Sequence, residues 1–266
     1  MSLAEDIKKF LKGETAEDDE TLEAYSRDAS LFKVRPKLVV YPKDSQDIQN
    51  LVKFAGEHKA NDPTLSLTVR AAGSDMSGGP LNESIIVDVA KHMNRMGEID
   101  GDHITVEPGT FYRDFERRTL AKGFILPCYP ASKNLCAIGG MIANNAGGEK
   151  SLRYGKMDNF VLESKVIFAD GREYLVRPLN KSELAQKINQ RDFEGNLYKQ
   201  ISELVESNRD VIRAAKPPVA KNSAGYCLWN LWDSDIFDLN KLLVGSQGTL
   251  GVIAEAKLQL TPVRKH

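Results

Sequence analysis

The chain has 266 residues, 41% hydrophobic and 27% charged, and its 36 Lys+Arg against 37 Asp+Glu leave a formal net charge of -1. That balance excludes a disordered chain and gives no global basic footprint for nucleic acid, and the length suits one large domain or two ordinary ones. No apolar run approaches the ~20 residues that span a bilayer. Glu5, Asp6, Lys8 and Lys9 make the start unlike a secretory signal. Cys128, Cys136 and Cys227 have no metal or redox spacing. They read as free thiols of a reducing compartment, so a soluble, cytoplasmic protein is expected.

In chain order, residues 1–34 read as a helical arm, with Leu3, Ile7, Phe10 and Leu11 on one face. Lys37–Tyr41 is a short apolar strand closed by Pro42. Asp44 or Ser45 caps a helix whose Ile48, Leu51, Val52 and Ala55 share a face. Leu65–Val69 and Ser84–Val89 read as strands around a Gly/Ser-rich loop. Ile104–Val106 is β-like, and Thr110 is placed to cap a helix carrying Phe111, Phe115 and Leu120, with Gly123 at its end. Val161–Ala169, Asp170-Gly171 and Glu173–Val176 form a hairpin, Asn180–Ala215 is mostly helical, and Val252–Leu260 alternates as a strand. The order predicts an α+β architecture with two sub-lobes. Trp229 and Trp232 read as core.

Small residues concentrate in three places. Arg70–Gly79 can point successive backbone N–H groups inward as a nest for phosphate oxygens, with Ser74 and Ser77 adding hydroxyls. Pro127–Ser132 and Ala137–Gly148 carry two Gly pairs, which permit close approach of a planar ligand, and Asn144 and Asn145, which can bond a heterocycle or cap a helix. Gly245–Ile253 leads into the last strand. Each segment alone is equally an ordinary turn or a tightly packed helix. The chain has no G-x-G-x-x-G between a strand and a helix, no phosphate-loop lysine motif, no hydrolase elbow and no metal-ligand spacing among its 4 His.

Taken in order, the segments resemble the FAD-binding domain of the vanillyl-alcohol oxidase / p-cresol methylhydroxylase (PCMH-type) family, in its glycolate, D-lactate and D-2-hydroxyglutarate dehydrogenase branch. The matching words run from Pro36–Pro42 through Arg70–Gly79, Val87-Asp88, Val106–Gly109, Pro130–Ser132, Ile138–Gly140, Asn144–Gly148, Arg153–Gly155, Ala169–Gly171 and Ala224–Tyr226 to Gly248–Ile253. The resemblance implies a PCMH-type α+β domain over 35–262 whose sub-lobes, about 35–90 and 91–262, sandwich FAD. Ala71, Ala72, Gly73, Ser74, Asp75, Met76 and Ser77 would hold the diphosphate. Pro130, Ser132, Cys136, Ala137, Gly139, Gly140, Asn144, Asn145, Gly147 and Gly148 would lie against the isoalloxazine and ribityl chain. Val252 and Ile253 would approach the adenine side, with Tyr154 and Gly248 as further contacts.

The same resemblance implies an oxidoreductase that takes hydride from a small 2-hydroxy acid and passes electrons to an acceptor. No metal site and no catalytic base is assigned within these residues. Its C-terminal substrate domain is expected to lie outside this chain. Ser74 stands where covalent members carry a flavin-linking His, so the FAD is expected to be non-covalent. A carboxylate ~4 Å from a phosphate oxygen would cost about 4 kcal/mol at an effective dielectric of 20. Asp75 is therefore expected to point away, bonding its own loop. Cys136, often Thr in the family, is expected to be a small buried filler. A non-catalytic scaffold on this fold, or another flavin enzyme such as a cell-wall sugar reductase or a flavin subunit of a molybdenum hydroxylase, are the competing readings.

Overall fold

The structure, a computed structural model, describes residues 2–219, 222 and 224–263. Two sheets organise it. In the first, Leu38–Tyr41, Ile85–Asp88 and Leu67–Arg70 run parallel in that order, and Glu14–Ala16 adds an antiparallel edge beside Leu38–Tyr41. Both faces of its centre are covered, which is why Leu38, Val39, Val40, Ile85, Ile86 and Val87 form unbroken apolar runs and are at most 1% exposed. The helix Ser45–His58 begins where Asp44 accepts the Asp47 N–H, and it presses Leu51 and Phe54 into one core with Ala4 and Ile7 of the N-terminal helix.

The second sheet is antiparallel throughout, in the order Met96–Asp100, His103–Val106, Val252–Gln259, Val161–Ile167, Glu173–Val176. The strand Val252–Gln259, near the end of the described residues, thus lies at the centre of the sheet. Its alternation buries Ala254, Ala256 and Leu258, as the period-2 pattern demands. The helices Tyr112–Leu120 and Ile138–Ala143 pack on one part of this lobe. Lys181–Ile188, Phe193–Ser207 and Arg209–Ala214 pack on another, where Trp229 and Trp232 join the core as expected. A small shared core joins the lobes: Ile48, Val89 and Met93 meet Ile167 and Ala254.

Three expectations change. The arm 1–34 is not wholly helical, because Glu14–Ala16 completes the first sheet. Thr110 does not cap its helix. The cap position is Phe111, without a side-chain cap bond, and the Thr110 hydroxyl donates to the Arg95 carbonyl at 3.4 Å. The strand Met96–Asp100 was not anticipated, because Gly97, Glu98 and Asp100 leave only Met96 and Ile99 as apolar residues in its five.

One buried carboxylate ties the arm to this lobe. Asp47 is 0% exposed and accepts the N–H groups of Lys12 (2.8 Å), Gly13 (3.0 Å) and Lys43 (2.8 Å). Asp47→Ala strands three donors at once, so urea unfolding should show a loss of roughly 3 kcal/mol. Asp47→Asn, which keeps an acceptor, should lose less. Equal losses for the two variants would mean that these bonds carry little.

Candidate functional site

Between the two lobes runs a cleft with about 550 Å³ of empty space, its open mouth included. Val69 and Ala71 of the first lobe face Gly140, Ala143 and the stretch Ser246–Ile253 of the second across it, and no ionisable side chain lines it. It holds an uncharged ring or chain better than a charged one.

At one end lies the loop after strand Leu67–Arg70. Among the described residues, no acceptor takes the N–H of Ala72, Gly73, Ser74 or Asp75. Gly73 turns there with φ +64°. Four consecutive free donors form a nest suited to phosphate oxygens. The rest of the loop is spent on itself. Asp75 Oδ2 accepts the Ser77 N–H (2.9 Å), the Ser77 hydroxyl (2.6 Å) and the Gly79 N–H (3.0 Å). Partial burial raises the Asp75 pKa, but these hydrogen bonds outweigh it and hold the carboxyl below its ordinary value. Asp75 thus bonds its own loop, as the charge argument requires. Ser77 does not add a hydroxyl donor for a ligand, because its hydroxyl serves Asp75. Met76 is 80% exposed and reaches into solvent. Ser74 is half-buried beside the free donors.

The Gly pairs divide by purpose. A Cβ on Gly139 would lie 2.6 Å from Pro108 Cβ, one on Gly148 2.2 Å from the Tyr129 carbonyl oxygen, and one on Gly147 2.6 Å from Ser151 Oγ. These three are bare so that the chain can pack against itself. A Cβ on Gly140 would meet only Ala71 Cβ, at 3.8 Å, across the cleft. That is an ordinary van der Waals distance, so Gly140 is the member of the pairs that packing does not require to be bare, and it lines the cleft. Gly248, with φ +74°, has nothing near it, and Val252 and Ile253 line the cleft.

Asn144 is exposed and accepts a bond from Gln247 Nε2 at 3.0 Å. Asn145 is 1% exposed with φ +45°, and its Oδ1 accepts the Asp158 N–H at 3.1 Å. Its Nδ2 is buried without a partner, the one such side-chain atom among the described residues. Leaving such a donor unpaired costs about 1–3 kcal/mol, and Asn145 is not among the residues that line the cleft. Cys136 and Ala137 are buried, 4% and 1% exposed, and are not among the residues that line the cleft. Burial pushes the Cys136 thiol up to about 11, which suits a filler and not a redox group. Pro130 and Ser132 are half-buried in the turn that leads to Cys136, and the Ser132 carbonyl accepts the Leu135 and Cys136 N–H groups. Tyr154 is half-buried and packs against the same core.

Sequence reasoning missed Gln247, which donates to Asn144 from the opposite segment, and Asp158, which is 7% exposed and accepts from Asn230 at 3.3 Å. It also missed Arg70 as a side chain. The Arg70 guanidinium lies 2.4 Å from where a Gly73 Cβ would be. Gly73 is therefore bare for Arg70 as well as for a ligand. Among the described residues, no group of three or more His, Cys, Asp or Glu is placed to hold a metal, and no helix is long and apolar enough to cross a membrane.

A nest of free donors and an uncharged cleft between two lobes suit a dinucleotide with a planar ring. Residues 36–176 match the family model of an FAD binding domain, and the chain belongs to that family. The D-2-hydroxyglutarate dehydrogenase of Pantoea ananatis is 32% identical over 258 residues, 95% of this chain and 25% of that protein. Glycolate oxidase subunit GlcD of Bacillus subtilis is 29% identical over 242 residues, 90% of this chain and 40% of that one. The D-lactate dehydrogenase of Archaeoglobus fulgidus is 27% identical over 247 residues, 90% of this chain and 43% of that one. The chain thus spans a quarter to under half the length of these relatives. Among solved structures, alkyldihydroxyacetonephosphate synthase superposes with a TM-score of 0.67 at 17% identity, covering 98% of this chain and 40% of that one. 6-Hydroxy-D-nicotine oxidase from Arthrobacter nicotinovorans gives 0.62 at 17% identity, covering 95% and 43%. The fold is the PCMH-type α+β fold anticipated from the sequence.

The two adjacent glycines make a paired test. Gly140→Leu should leave the melting temperature near wild type and abolish FAD uptake, because its side chain enters the cleft. Gly139→Ala should cost about 1–3 kcal/mol of stability by overpacking against Pro108. Normal flavin uptake by Gly140→Leu would show that the cleft is not the cofactor site.

Proposed function

We propose that this chain is the FAD-holding part of an FAD-linked oxidoreductase acting on 2-hydroxy acids such as D-2-hydroxyglutarate, D-lactate or glycolate, and that it holds FAD non-covalently. The observation that carries the reading is the row of four unpaired N–H groups, Ala72 to Asp75, at the end of an uncharged cleft. Those donors hold the diphosphate. Gly140 leaves the wall bare, and Val252 and Ile253 cover an apolar face. FAD supplies the two-electron acceptor for the hydride that leaves the substrate Cα.

Non-covalent binding follows from the absence of a nucleophile. A stable flavin link needs a His, Cys or Tyr side chain, and none lines the cleft among the described residues. Ser74 occupies the loop position where the resemblance places a linking His. Acid precipitation should therefore release the yellow colour to the supernatant. Colour retained in the pellet would overturn this reading. An absorbance spectrum without flavin bands after reconstitution would favour a scaffold domain instead.

Among the described residues, those that line the cleft include no proton acceptor for the substrate hydroxyl. Oxidation needs such a base within hydrogen-bond reach, with the Cα–H held over the flavin. The cleft carries no ionisable side chain. The base, the substrate-orienting groups and the contact for an electron acceptor are placed outside residues 1–266, in the remainder that the longer relatives possess. FAD-loaded protein mixed anaerobically with D-2-hydroxyglutarate, D-lactate or glycolate should keep its flavin band. Rapid stoichiometric bleaching by any of the three would put the base within this chain.

A further inference from the structure

The free donors of the loop stay open only while its other half is tied down, and part of that tie comes from the N-terminal arm. Residues 25–32 precede the 36–176 span that matches the family model. The Gly78 N–H donates to Asp28 Oδ2 at 3.0 Å, and the Ala29 N–H donates to the Asp75 carbonyl at 2.9 Å. Asp28 Oδ1 accepts both the N–H (2.8 Å) and the hydroxyl (2.5 Å) of Ser30, which fixes the carboxylate. From beneath, Arg70 donates from Nη2 to the Arg27 carbonyl at 2.8 Å and from Nη1 to the Tyr25 carbonyl at 3.3 Å. The segment is itself a closed turn, with the Val34 N–H on the Ser26 carbonyl at 2.9 Å and Arg27 bridged to Lys33.

We infer that residues 25–32 form a strap whose docking sets the shape of the diphosphate loop, with Asp28 as its positioning residue, and that strap docking and cofactor binding stabilise one another. The coupling to cofactor rests on the FAD reading above; the strap does not. Two carboxylates beside a diphosphate are unfavourable unless they are turned to other work. Asp75 takes the donors of Ser77 and Gly79, and Asp28 takes that of Gly78, so each carboxylate faces protein N–H groups. The donors of Ala72–Asp75 are left for a ligand. Without Asp28 the Gly78 N–H is released, the loop samples other shapes, and a ligand must order it on binding. Linkage makes the effect reciprocal: whatever the strap adds to ligand affinity, the ligand adds to strap docking.

The test uses the 266-residue chain, wild type, Asp28→Ala and Asp28→Asn, with amide hydrogen exchange and FAD titration. In flavin-free Asp28→Ala, amides 73–79 should exchange about tenfold faster or more, while those of Val161–Ile167 and Val252–Gln259 are unchanged, and the Kd for FAD should rise about tenfold. Asp28→Asn, which retains an acceptor for Gly78, should recover most of both. In wild type, FAD should slow exchange at Ala29 and Gly78, a ligand-dependent change that a merely structural turn would not show. The strap is overturned if Asp28→Ala keeps wild-type loop exchange and binds FAD within about threefold of wild type. The coupling is overturned if FAD leaves Ala29 exchange untouched. If Asp28→Ala fails to fold, the wild-type exchange with and without FAD decides alone. A wild-type chain that takes up no FAD overturns the coupling together with the FAD reading, and flavin-free loop exchange in the variant still judges the strap.

Discussion

Four backbone N–H groups held without acceptors, at Ala72 to Asp75, are the constraint on which the rest of the site depends. Unpaired donors are costly unless water or a ligand takes them, and a chain left to itself closes on them. Here the loop is prevented from closing. Gly73 turns it through φ +64°, the Arg70 side chain fills the space beneath Gly73, and Asp75 commits the donors of Ser77 and Gly79 elsewhere. The carboxylate that seemed an obstacle to a diphosphate is part of the device that presents one with its donors.

The cleft depends on the same loop from its other side. Ala71, next to the free donors, stands 3.8 Å from where a Gly140 Cβ would be, so the helix Ile138–Ala143 and the loop face each other across the ligand space. That helix keeps its place because Gly139 interlocks with Pro108 and donates its N–H to the Pro108 carbonyl at 2.7 Å. On the far wall the Gly245 N–H bonds the Ile142 carbonyl and the Gln247 N–H bonds the Ala143 carbonyl, at 3.0 and 2.9 Å. The unpaired carbonyls at the end of the helix are thereby satisfied, and the segment leading into the central strand is pinned to it. The three glycine-rich segments, far apart in sequence, are one wall system.

Much of this was legible in sequence, for physical reasons. Parallel strands covered on both faces need unbroken apolar runs, and Leu38–Val40 and Ile85–Val87 supply them; a half-covered antiparallel strand alternates, and Ala254, Ala256 and Leu258 do so. The position of the turning loop after Leu67–Arg70 was legible because small residues cluster where a chain must turn or approach closely. Which glycine served which end was not. Gly139 and Gly140 are adjacent and chemically identical, and only the three-dimensional positions of Pro108 and Ala71 separate packing from ligand space. Cys136 and Ala137 lie between two matching words, Pro130–Ser132 and Ile138–Gly140, and the depth of their burial was not legible from that position. Glu14–Ala16 and Met96–Asp100 escaped because edge strands take most of their definition from the neighbour they pair with.

The distribution of charge separates the two halves of the chemistry. The cofactor side is built from backbone donors, bare glycines and aliphatic side chains, and these are groups that do not titrate near neutrality. A flavin held by them keeps its diphosphate contacts whatever the proton does at the substrate. Proton removal from a hydroxy acid needs the opposite kind of group, one whose pKa lies near the working pH and whose charge changes during turnover. Such a group set beside the nest would alter the field at the diphosphate with every cycle. On the proposed function, a base kept on a different part of the protein from Ala72–Asp75 would separate holding the cofactor from moving the proton. The uncharged lining of this cleft is what that separation looks like from the cofactor side.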